Sequence, residues 1–340
     1  MRNRNGVKRW CAFFFIGVML CGCASAQEKE EYKLPEEKKL VVYTSHKKEI
    51  YEPIIKEFEE RSGIWVEVVY GGTNELLEQI AFEDGGCYCD VMFGGGVDSL
   101  ESYSEYFAPY RSAQYEQLDG TYASATDAYT VFSKLPLVVI YNTKLVIQAG
   151  TPRSWEELLD NRWKGKVAFA DPTRSGSSYT ALVSMIQELA PEYDQEEVIT
   201  LLSKNLLQDI ANDSAQVVED VITGRKLVGI TLEETALKYI VKGEDIGMIY
   251  PEEGTTAVPD GCAIVKNAPH QGNAELFVEF MVSEDVQRLL EEQLFRRSVR
   301  TDITQKQTLK EFIYDMQYAE EHREEILDCW MQQNSSDTKE

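Results

Sequence analysis

The sequence lacks the motifs that mark the common catalytic centres. It has only three histidines, and it contains no His-Glu-x-x-His zinc motif, no Gly-Lys-Ser/Thr phosphate loop and no Gly-x-Ser-x-Gly nucleophile elbow. Such motifs supply a nucleophile, a catalytic metal or a cradle for nucleotide phosphates. Their absence predicts that the protein is not an enzyme and that it uses no cofactor.

Basic side chains are also scarce. Lys and Arg number 34 against 58 Asp and Glu, which gives a formal net charge of −24 at pH 7. Such a surface repels the phosphates of nucleic acids and the headgroups of anionic lipids, so neither is an expected partner. An anionic ligand would have to be held by local backbone amides in an enclosed site.

The apolar run near the N-terminus is too short to cross a bilayer. It ends at Leu20, follows four basic residues and leads into Cys21-Gly22-Cys23. This arrangement is typical of an export signal. Leu20 and Gly22 before Cys23 resemble the bacterial lipobox, which implies a signal peptide over residues 1–22 and a lipid on the sulfur of Cys23. Cys21 is the alternative lipid acceptor.

Seven cysteines are too few and too irregularly placed to indicate a disulfide framework. Cleavage before Cys23 would leave an odd number, with one of them lipidated. Cys87 and Cys89 flank a single residue, whereas a zinc site needs a longer spacer and a second pair. We therefore predict no metal site there, and the states of Cys87, Cys89, Cys262 and Cys329 stay open.

Residues 23–38 are polar, with Glu and Lys interleaved and no apolar period, which predicts a flexible tether. Beyond them, short apolar strands alternate with stretches of helical spacing. This alternation predicts an α/β fold with a mainly parallel sheet. The strands are expected over residues 40–44, 65–70, 90–93, 135–142, 167–169, 227–230, 246–250 and 257–265.

Two of these strands are apolar runs that we interpret as crossings between two lobes. The crossings would lie at 135–142 and 257–265, with a first lobe over 39–137 and 262–335 and a second lobe over 138–261. Helical spacing over 274–290 and 309–331 predicts helices on the outside of the first lobe. A cleft between two such lobes suits hinged closure around a small solute.

The stretch Asp171-Pro-Thr-Arg-Ser-Gly-Ser-Ser-Tyr179 joins a buried strand to a helix. We expect the helix to begin near Ser177 or Ser178, where a hydroxyl can cap the free amides. A helix N-terminus carries about half a positive charge and favours phosphate or carboxylate. The stretch therefore predicts an anion-binding cradle, with an ordinary serine cap that binds no ligand as the alternative.

Polar and glycine-rich residues end three further strands. They are Ser45, His46, Gly72, Thr73, Gly95 and Gly96. Ligands of open α/β sheets gather outside the carboxyl ends of the strands, so we expect these residues to form the opposite wall of the site. His46 is either a ligand contact or a residue that starts a helix.

Several stretches together have the order and spacing of a known family. They are Leu40-Val-Val-Tyr-Thr-Ser-His46, Tyr70-Gly-Gly-Thr-Asn74, Asp90-Val-Met-Phe-Gly-Gly-Gly96, Trp163-Lys-Gly-Lys-Val167 and Asp171 through Leu182. They resemble the ferric-binding-protein-like family of bacterial ABC-transporter solute-binding proteins. The resemblance implies a type II periplasmic-binding-protein fold, with two hinge strands between two lobes, and delivery of a solute to an ABC permease.

That family includes receptors for iron(III) and for phosphorylated solutes. In the iron binders, two adjacent tyrosines after the strand that corresponds to 227–230 ligate the metal. Here the region reads Thr231-Leu-Glu-Glu-Thr-Ala-Leu-Lys-Tyr239, without the pair, whereas the Ser175-Gly-Ser177 loop that holds an anion is present. The resemblance therefore implies an organophosphate, such as a sugar phosphate or a phosphonate, and no metal. An iron(III) receptor and a ligand sensor for a membrane histidine kinase are the alternatives.

Each site residue then has an expected role. The phosphoryl group would be held by Ser175, Gly176 and Ser177, assisted by Thr173, Ser45, His46 and Thr73. Glu233 and Asp213 would accept hydrogen bonds from hydroxyls or an amine on the rest of the ligand. Arg174 would pair with phosphate or point to solvent. We expect a monomer outside the cytoplasm, lipid-anchored to the cell membrane or periplasmic.

Overall fold

The computed structural model describes residues 35–82, 88–147, 150–304 and 309–335. The predicted signal peptide, the lipid acceptor Cys23, most of the tether and Cys87 lie outside the described residues. No helix within the described ranges is long and apolar enough to cross a membrane.

Eight strands within the described residues form one hydrogen-bonded sheet. They are β1 (Lys39–Thr44), β2 (Trp65–Tyr70), β3 (Val91–Gly96), β4 (Thr130–Asn142), β5 (Val167–Ala168), β6 (Val228–Leu232), β7 (Ile246–Ile249) and β8 (Ala257–Ile264). Their order is β2-β1-β3-β8-β4-β6-β5, and β7 also pairs with β4. Each predicted strand is present, and β4 begins at Thr130 rather than at Leu135.

The prediction of a mainly parallel sheet is wrong. β1 runs parallel to β2 and β3, and β5 runs parallel to β6. In contrast, β8 is antiparallel to β3 and β4, and β4 is antiparallel to β6 and β7. Helical crossovers join the parallel pairs, as parallel neighbours require, whereas every antiparallel pair of strands within the described residues involves β4 or β8, the strands interpreted as crossings. The fold is therefore mixed α/β, with its parallel pairs at the two ends of the sheet.

Helices occupy the connections between strands. They are α1 (Lys48–Ser62), α2 (Thr73–Phe82), α3 (Val97–Ser102), α4 (Trp155–Leu159), α5 (Gly176–Leu189), α6 (Gln195–Leu206), α7 (Ser214–Ile222), α8 (Glu233–Val241), α9 (Gln271–Met281), α10 (Glu284–Gln293), α11 (Met316–Glu321) and α12 (Arg323–Asn334). Their buried faces carry the apolar residues at helical spacing, as in α1, where Ile50, Ile54, Ile55 and Phe58 are buried.

The buried apolar side chains form four clusters, which we assign in pairs to two groups. One group includes Leu40, Phe58 and Phe277 and is built from β1–β3, α1–α3, α9 and α10, which we call the first region. The other includes Trp155 and Leu182 and is built from α4–α8, β5–β7, α11 and α12, which we call the second region. Each region thus has its own apolar core, and burial of that surface is the main force that stabilises it.

Strand β4 belongs to both regions. Its residues up to Pro136 pair with β8, and those from Leu137 onward pair with β6 and β7. The chain returns beside this point, where the backbone N–H of Leu137 donates to the carbonyl of Thr256 at 3.0 Å. The long apolar run of β4 follows from this position, because a strand covered on both faces needs no polar alternation.

The prediction that residues 309–331 form helices on the outside of the first lobe is wrong. Residues 309–315 are not helical, and α12 packs against α6 in the second region. Trp330 of α12 is 1% exposed, and its ring meets that of Phe169 edge to face with the centroids 5.6 Å apart. The chain therefore passes between the regions a third time, beside Thr255, whose N–H donates to the carbonyl of Lys310 at 2.9 Å.

Candidate functional site

Helix α5 begins at Gly176, earlier than the predicted start at Ser177 or Ser178. Ser175 is its N-cap, and the Ser175 hydroxyl accepts a hydrogen bond from the backbone N–H of Ser178 at 3.3 Å. The first serine of the run has the extended backbone that a cap requires, so the helix starts directly after it. The amides of Gly176 and Ser177 are the first in the helix and have no acceptor within it.

A second helix begins beside α5. The N-cap of α7 is Asp213, whose Oδ1 accepts a hydrogen bond from the N–H of Gln216 at 2.9 Å. The Ser177 hydroxyl lies 3.2 Å from that of Ser175 and 3.3 Å from that of Ser214. Two helix N-termini therefore share a row of three hydroxyls. We call Ser175, Gly176, Ser177 and Ser214 the serine cradle.

The serine cradle is open in front of Gly176. A Cβ built on this glycine would meet no atom within 4 Å. Thr173, one turn earlier, is exposed and donates its hydroxyl to Asp171 Oδ1 at 2.8 Å. Arg174 is exposed and makes a long contact of 3.5 Å from Nη1 to Asn212 Oδ1. The cradle thus offers backbone amides and hydroxyls, and its cationic character comes from the helix termini.

The strand ends of the first region lie close to one another. Gly94 and Gly95 have φ angles of +97° and +99°, which side-chain-bearing residues rarely adopt. A Cβ on Gly95 would lie 2.9 Å from Thr73 Cγ2, and a Cβ on Gly94 would lie 2.6 Å from His46 Nε2. The structure therefore brings the predicted residues His46, Thr73 and Gly95 into one cluster. The exposed Gly72 precedes Thr73, half-buried Ser45 precedes His46, and Gly96 is the N-cap of α3.

His46 is 8% exposed and lies edge to face with Phe93 and Phe132, at centroid distances of 4.9 and 5.9 Å. Its Nε2 has no hydrogen-bond partner among the described residues and lies 3.9 Å from Asp260 Oδ2. Burial lowers the pKa of His46 well below its usual value, and the charge of Arg296 lowers it further. The imidazole is therefore neutral at pH 7.

His46 belongs to a buried polar cluster at the junction of the two regions. We call it the crossing cluster; its members are His46, Ser133, Glu234, Lys238, Asp260 and Arg296. Arg296 is 4% exposed, and its Nη1 donates to the Asp260 carboxylate and to Ser133 Oγ, the latter at 3.2 Å. Arg296 Nη2 lies 3.8 Å from Glu234 Oε2, and Lys238 Nζ donates to Glu234 Oε1 at 2.5 Å. Burial raises the pKa of Asp260 against the opposing effect of Arg296.

The crossing cluster is positioned by the crossing strands. Ser133 of β4 and Asp260 of β8 are paired in register, and Asp260 also faces Gly96 at the end of β3. Glu234 and Lys238 come from α8, which begins where β6 ends. The cluster therefore joins carboxyl strand ends from both regions, which is where ligands of such sheets bind.

The Glu233 carboxylate is not free, although its position after β6 predicted an acceptor for the ligand. It is 4% exposed, and its oxygens accept from Arg297 Nε at 2.7 Å and Arg297 Nη2 at 2.8 Å, and from the hydroxyl of Tyr250. The Glu233 interactions raise the pKa of Arg297 although burial opposes this, and burial raises the pKa of Tyr250. Asp213 is likewise engaged, as the cap of α7. The Glu233 carboxylate is therefore occupied by donors of this chain, whereas Asp213 is exposed and engages its Oδ1 in the cap.

Sequence reasoning missed Arg296, Arg297 and Asp260. The adjacent arginines follow α10 in a chain with few basic residues, and that local concentration of positive charge was the only signal present. Asp260 interrupts an otherwise apolar strand, which indicates a buried charge with a partner. The partner itself is brought near only by the fold.

No group of three or more His, Cys, Asp and Glu side chains is arranged to hold a metal within the ranges that the structure covers. The carboxylates nearest His46 are paired with cations: Asp260 with Arg296, and Glu234 with Lys238. A metal ion would have to compete with these ion pairs for the carboxylates.

Comparison with protein families gives one match over most of the chain. Residues 99–318 match the family described as "Bacterial extracellular solute-binding protein". Iron uptake protein A1 of Synechocystis is 27% identical over 80% of this chain and 79% of its own length. A putative 2-aminoethylphosphonate-binding periplasmic protein of Salmonella typhi is 22% identical over 73% of each chain.

Solved structures share the fold. The periplasmic binding protein AfuA of Actinobacillus pleuropneumoniae, with fructose-6-phosphate bound, has a TM-score of 0.74 at 24% identity, covering 87% of this chain and 98% of its own. This is the type II periplasmic-binding-protein fold. Proteins named for iron uptake, for 2-aminoethylphosphonate binding and for a bound fructose-6-phosphate are thus 22% to 27% identical to this chain.

Proposed function

Because the chain belongs to the family of bacterial extracellular solute-binding proteins, we propose that it captures a small anionic solute at the serine cradle and delivers it to a membrane permease. The solute class is an organophosphate, such as a sugar phosphate or a phosphonate. The protein binds this solute and performs no reaction on it.

One observation carries the proposal: two helix N-termini meet at a shared row of hydroxyls. The Ser177 hydroxyl bridges those of Ser175 and Ser214, which begin α5 and α7. Each N-terminus contributes about half a positive charge and free amides, and amides with hydroxyls are the donors that phosphate oxygens accept. The three hydroxyls and the amides of Gly176 and Ser177 match a phosphoryl group, which needs several donors at once.

The same structure supports an organic anion over iron(III). The position after β6, where the iron binders carry their tyrosine pair, holds Glu233 and Glu234, and both carboxylates are bound to cations of this chain. A trivalent cation would have to compete with those ion pairs. An organophosphate needs only the cradle.

The division into two lobes is part of the proposal. The first and second regions have separate cores and are joined by β4, by the return at Thr255 and by residues 309–315. A solute held at the junction would draw the regions together. We also propose that a lipid on Cys23 anchors the protein outside the cytoplasm as a monomer; a sensor that signals to a membrane histidine kinase is the alternative to transport.

A thermal-shift panel tests the solute class. The chain from residue 24 onward is heated with fructose 6-phosphate, a phosphoglycerate, 2-aminoethylphosphonate, inorganic phosphate or Fe³⁺. A ligand at about 100 times its Kd adds about 2.7 kcal/mol to the free energy of unfolding, which raises the Tm. We expect a rise with at least one phosphate ester or phosphonate. A rise with Fe³⁺ alone, accompanied by a coloured charge-transfer band, would contradict the proposal.

A substitution at Gly176 locates the site. Gly176→Leu places a bulky side chain in the open space before the cradle without a clash, because the Cβ meets nothing within 4 Å. We expect the ligand-induced rise in Tm to vanish while the Tm of the free protein changes little. Gly272→Leu is the matched control, since Gly272 also lies in the first turn of a helix with no atom near its Cβ. A ligand response that survives Gly176→Leu would place the site elsewhere.

A further inference from the structure

Two buried donors of the crossing cluster have no acceptor among the described residues. These are Arg296 Nε and, when it carries the proton, His46 Nε2. Both side chains are more than nine-tenths buried. An unmet buried polar group costs about 1–3 kcal/mol, so native structures rarely keep one without a functional reason.

The fold places these donors and the serine cradle on neighbouring elements. Arg296 holds Asp260 and Ser133 on the crossing strands and approaches Glu234 at the start of α8. Helix α8 begins at the end of β6, and β6 lies beside β5, which leads into the serine cradle. Glu234 of the crossing cluster and the serine cradle therefore follow the carboxyl ends of the neighbouring strands β6 and β5.

The charge of the crossing cluster limits what it can accept. Arg296 and Lys238 carry two positive charges, Asp260 and Glu234 carry two negative charges, and His46 is neutral. A further anion would meet two carboxylates, and an ammonium group would find both carboxylates already paired. A neutral oxygen that accepts a hydrogen bond fits best, and a hydroxyl can also donate one in return.

We propose that Arg296 is a specificity-determining residue, whose Nε–H donates to a hydroxyl on the body of the solute while His46 bonds a neighbouring hydroxyl. This inference rests on the proposed function and narrows its solute class to hydroxylated phosphate esters. Aminophosphonates and compact phosphates lack the hydroxylated body and are disfavoured.

The test compares two ligands that share a phosphoryl group. Fructose 6-phosphate and hexyl phosphate both carry six carbons, but only the first has hydroxyls along the chain. In isothermal titration of the wild-type protein, we expect hexyl phosphate and 2-aminoethylphosphonate to bind at least about tenfold more weakly than fructose 6-phosphate, the value of one lost charge-assisted hydrogen bond. Equal affinities, or tighter binding of 2-aminoethylphosphonate, would overturn the inference.

A variant assigns the effect to Arg296. Arg296→Lys retains a cation for Asp260 and removes the Nε–H. We expect its affinity for fructose 6-phosphate to fall about tenfold, while its affinity for inorganic phosphate changes less than about twofold. Arg300→Lys is the matched control, because Arg300 is also buried but pairs with Asp302, away from the cluster. It should alter neither affinity.

The outcomes separate the inference from the proposed function. One result is that the Arg296→Lys protein binds fructose 6-phosphate and inorganic phosphate as the wild type does, and another is that it loses affinity for both equally. Either result would overturn the role of Arg296 but leave the proposed function standing. If Arg296→Lys does not fold, the comparison of fructose 6-phosphate with hexyl phosphate on the wild type decides. A wild-type protein that binds no phosphorylated probe overturns the proposed function and this inference with it.

Discussion

At the residue scale, the junction of the two regions depends on charges that are buried in pairs. Arg297 and Glu233 form a bidentate ion pair with N–O distances of 2.7 and 2.8 Å, and the Tyr250 hydroxyl donates a further hydrogen bond to the carboxylate. Taking such charges out of water is costly, and each partner offsets the cost of the other. The protein is therefore destabilised most when one member of the pair is removed and the other charge stays buried.

We expect Arg297→Met to lower the free energy of unfolding by about 3–5 kcal/mol, because the Glu233 carboxylate is left buried without a cation. The double variant Arg297→Met with Glu233→Gln removes both charges and should recover most of that loss. Urea denaturation of the wild type, the two single variants and the double variant measures the coupling. Losses that simply add would show that the two side chains act independently.

His46 makes stability depend on pH. Its pKa is lowered in the folded protein by burial and by Arg296, with Glu234 raising it and Lys238 lowering it by smaller amounts. Below the unfolded pKa of about 6.5, the unfolded chain binds a proton that the folded chain does not. The free energy of unfolding therefore falls as the pH falls, by up to about 1.4 kcal/mol per pH unit for this one group.

The prediction is that wild-type stability drops more steeply than that of His46→Gln between pH 6.5 and 5. Gln fills similar space and stays neutral, so it removes the titration and keeps a polar side chain. Urea midpoints at pH 7, 6 and 5 give the two slopes. Parallel slopes would mean that His46 is protonated equally in the folded and unfolded chains.

Residue roles were only partly predictable from the sequence. The serines at 175 and 177 were identified because helix caps have a local signature, and the structure places them at a cap. Glu233 was expected to be free, since nothing near it in sequence reveals Arg297, which lies far along the chain. Pairing between distant charges depends on the fold, and periodicity carries no information about it.

At the scale of elements, strand and helix positions followed from apolar periodicity, but the packing of α12 against the second region did not. The spacing of apolar residues in α12 predicts a buried face, yet says nothing about which region covers it. Residues 309–315 carry the chain across the junction, and Ile326 and Trp330 then enter the core of the second region. The third crossing has no signal in the sequence because its residues are not a continuous apolar run.

This placement of α12 predicts a large effect of Trp330→Ala. Trp330 is 1% exposed and packs on Phe169, so its removal should lower the free energy of unfolding by about 3–5 kcal/mol. The neighbouring Met331 is 49% exposed, and Met331→Ala should change stability by less than about 1 kcal/mol. Urea denaturation of both variants measures the difference. Similar small changes would show that α12 is not part of the core.

At the scale of the whole molecule, the net charge of −24 opposes the approach of an anion. The cradle attracts phosphate only at short range, through amides and helix termini, whereas the repulsion acts over the screening length of the solvent. That length falls from about 30 Å at 0.01 M salt to about 8 Å at 0.15 M. Salt should therefore remove more of the repulsion than of the local attraction.

We expect the association rate constant for fructose 6-phosphate to rise about twofold to tenfold between 0.01 and 0.15 M NaCl. Stopped-flow measurements that use the intrinsic tryptophan fluorescence follow it directly. A rate that falls with salt would show that a positive local field outweighs the net charge of the protein and guides the ligand, which would contradict this account of the repulsion.

The central claim is that main-chain donors at the start of α5 hold the phosphoryl group of an organic solute. A crystal structure of the protein with fructose 6-phosphate tests it most directly. The account predicts phosphoryl oxygens within hydrogen-bonding distance of the amides of Gly176 and Ser177 and of the Ser175 and Ser214 hydroxyls. An iron ion coordinated between the regions, or a phosphoryl group bound away from Ser175 and Ser177, would contradict it.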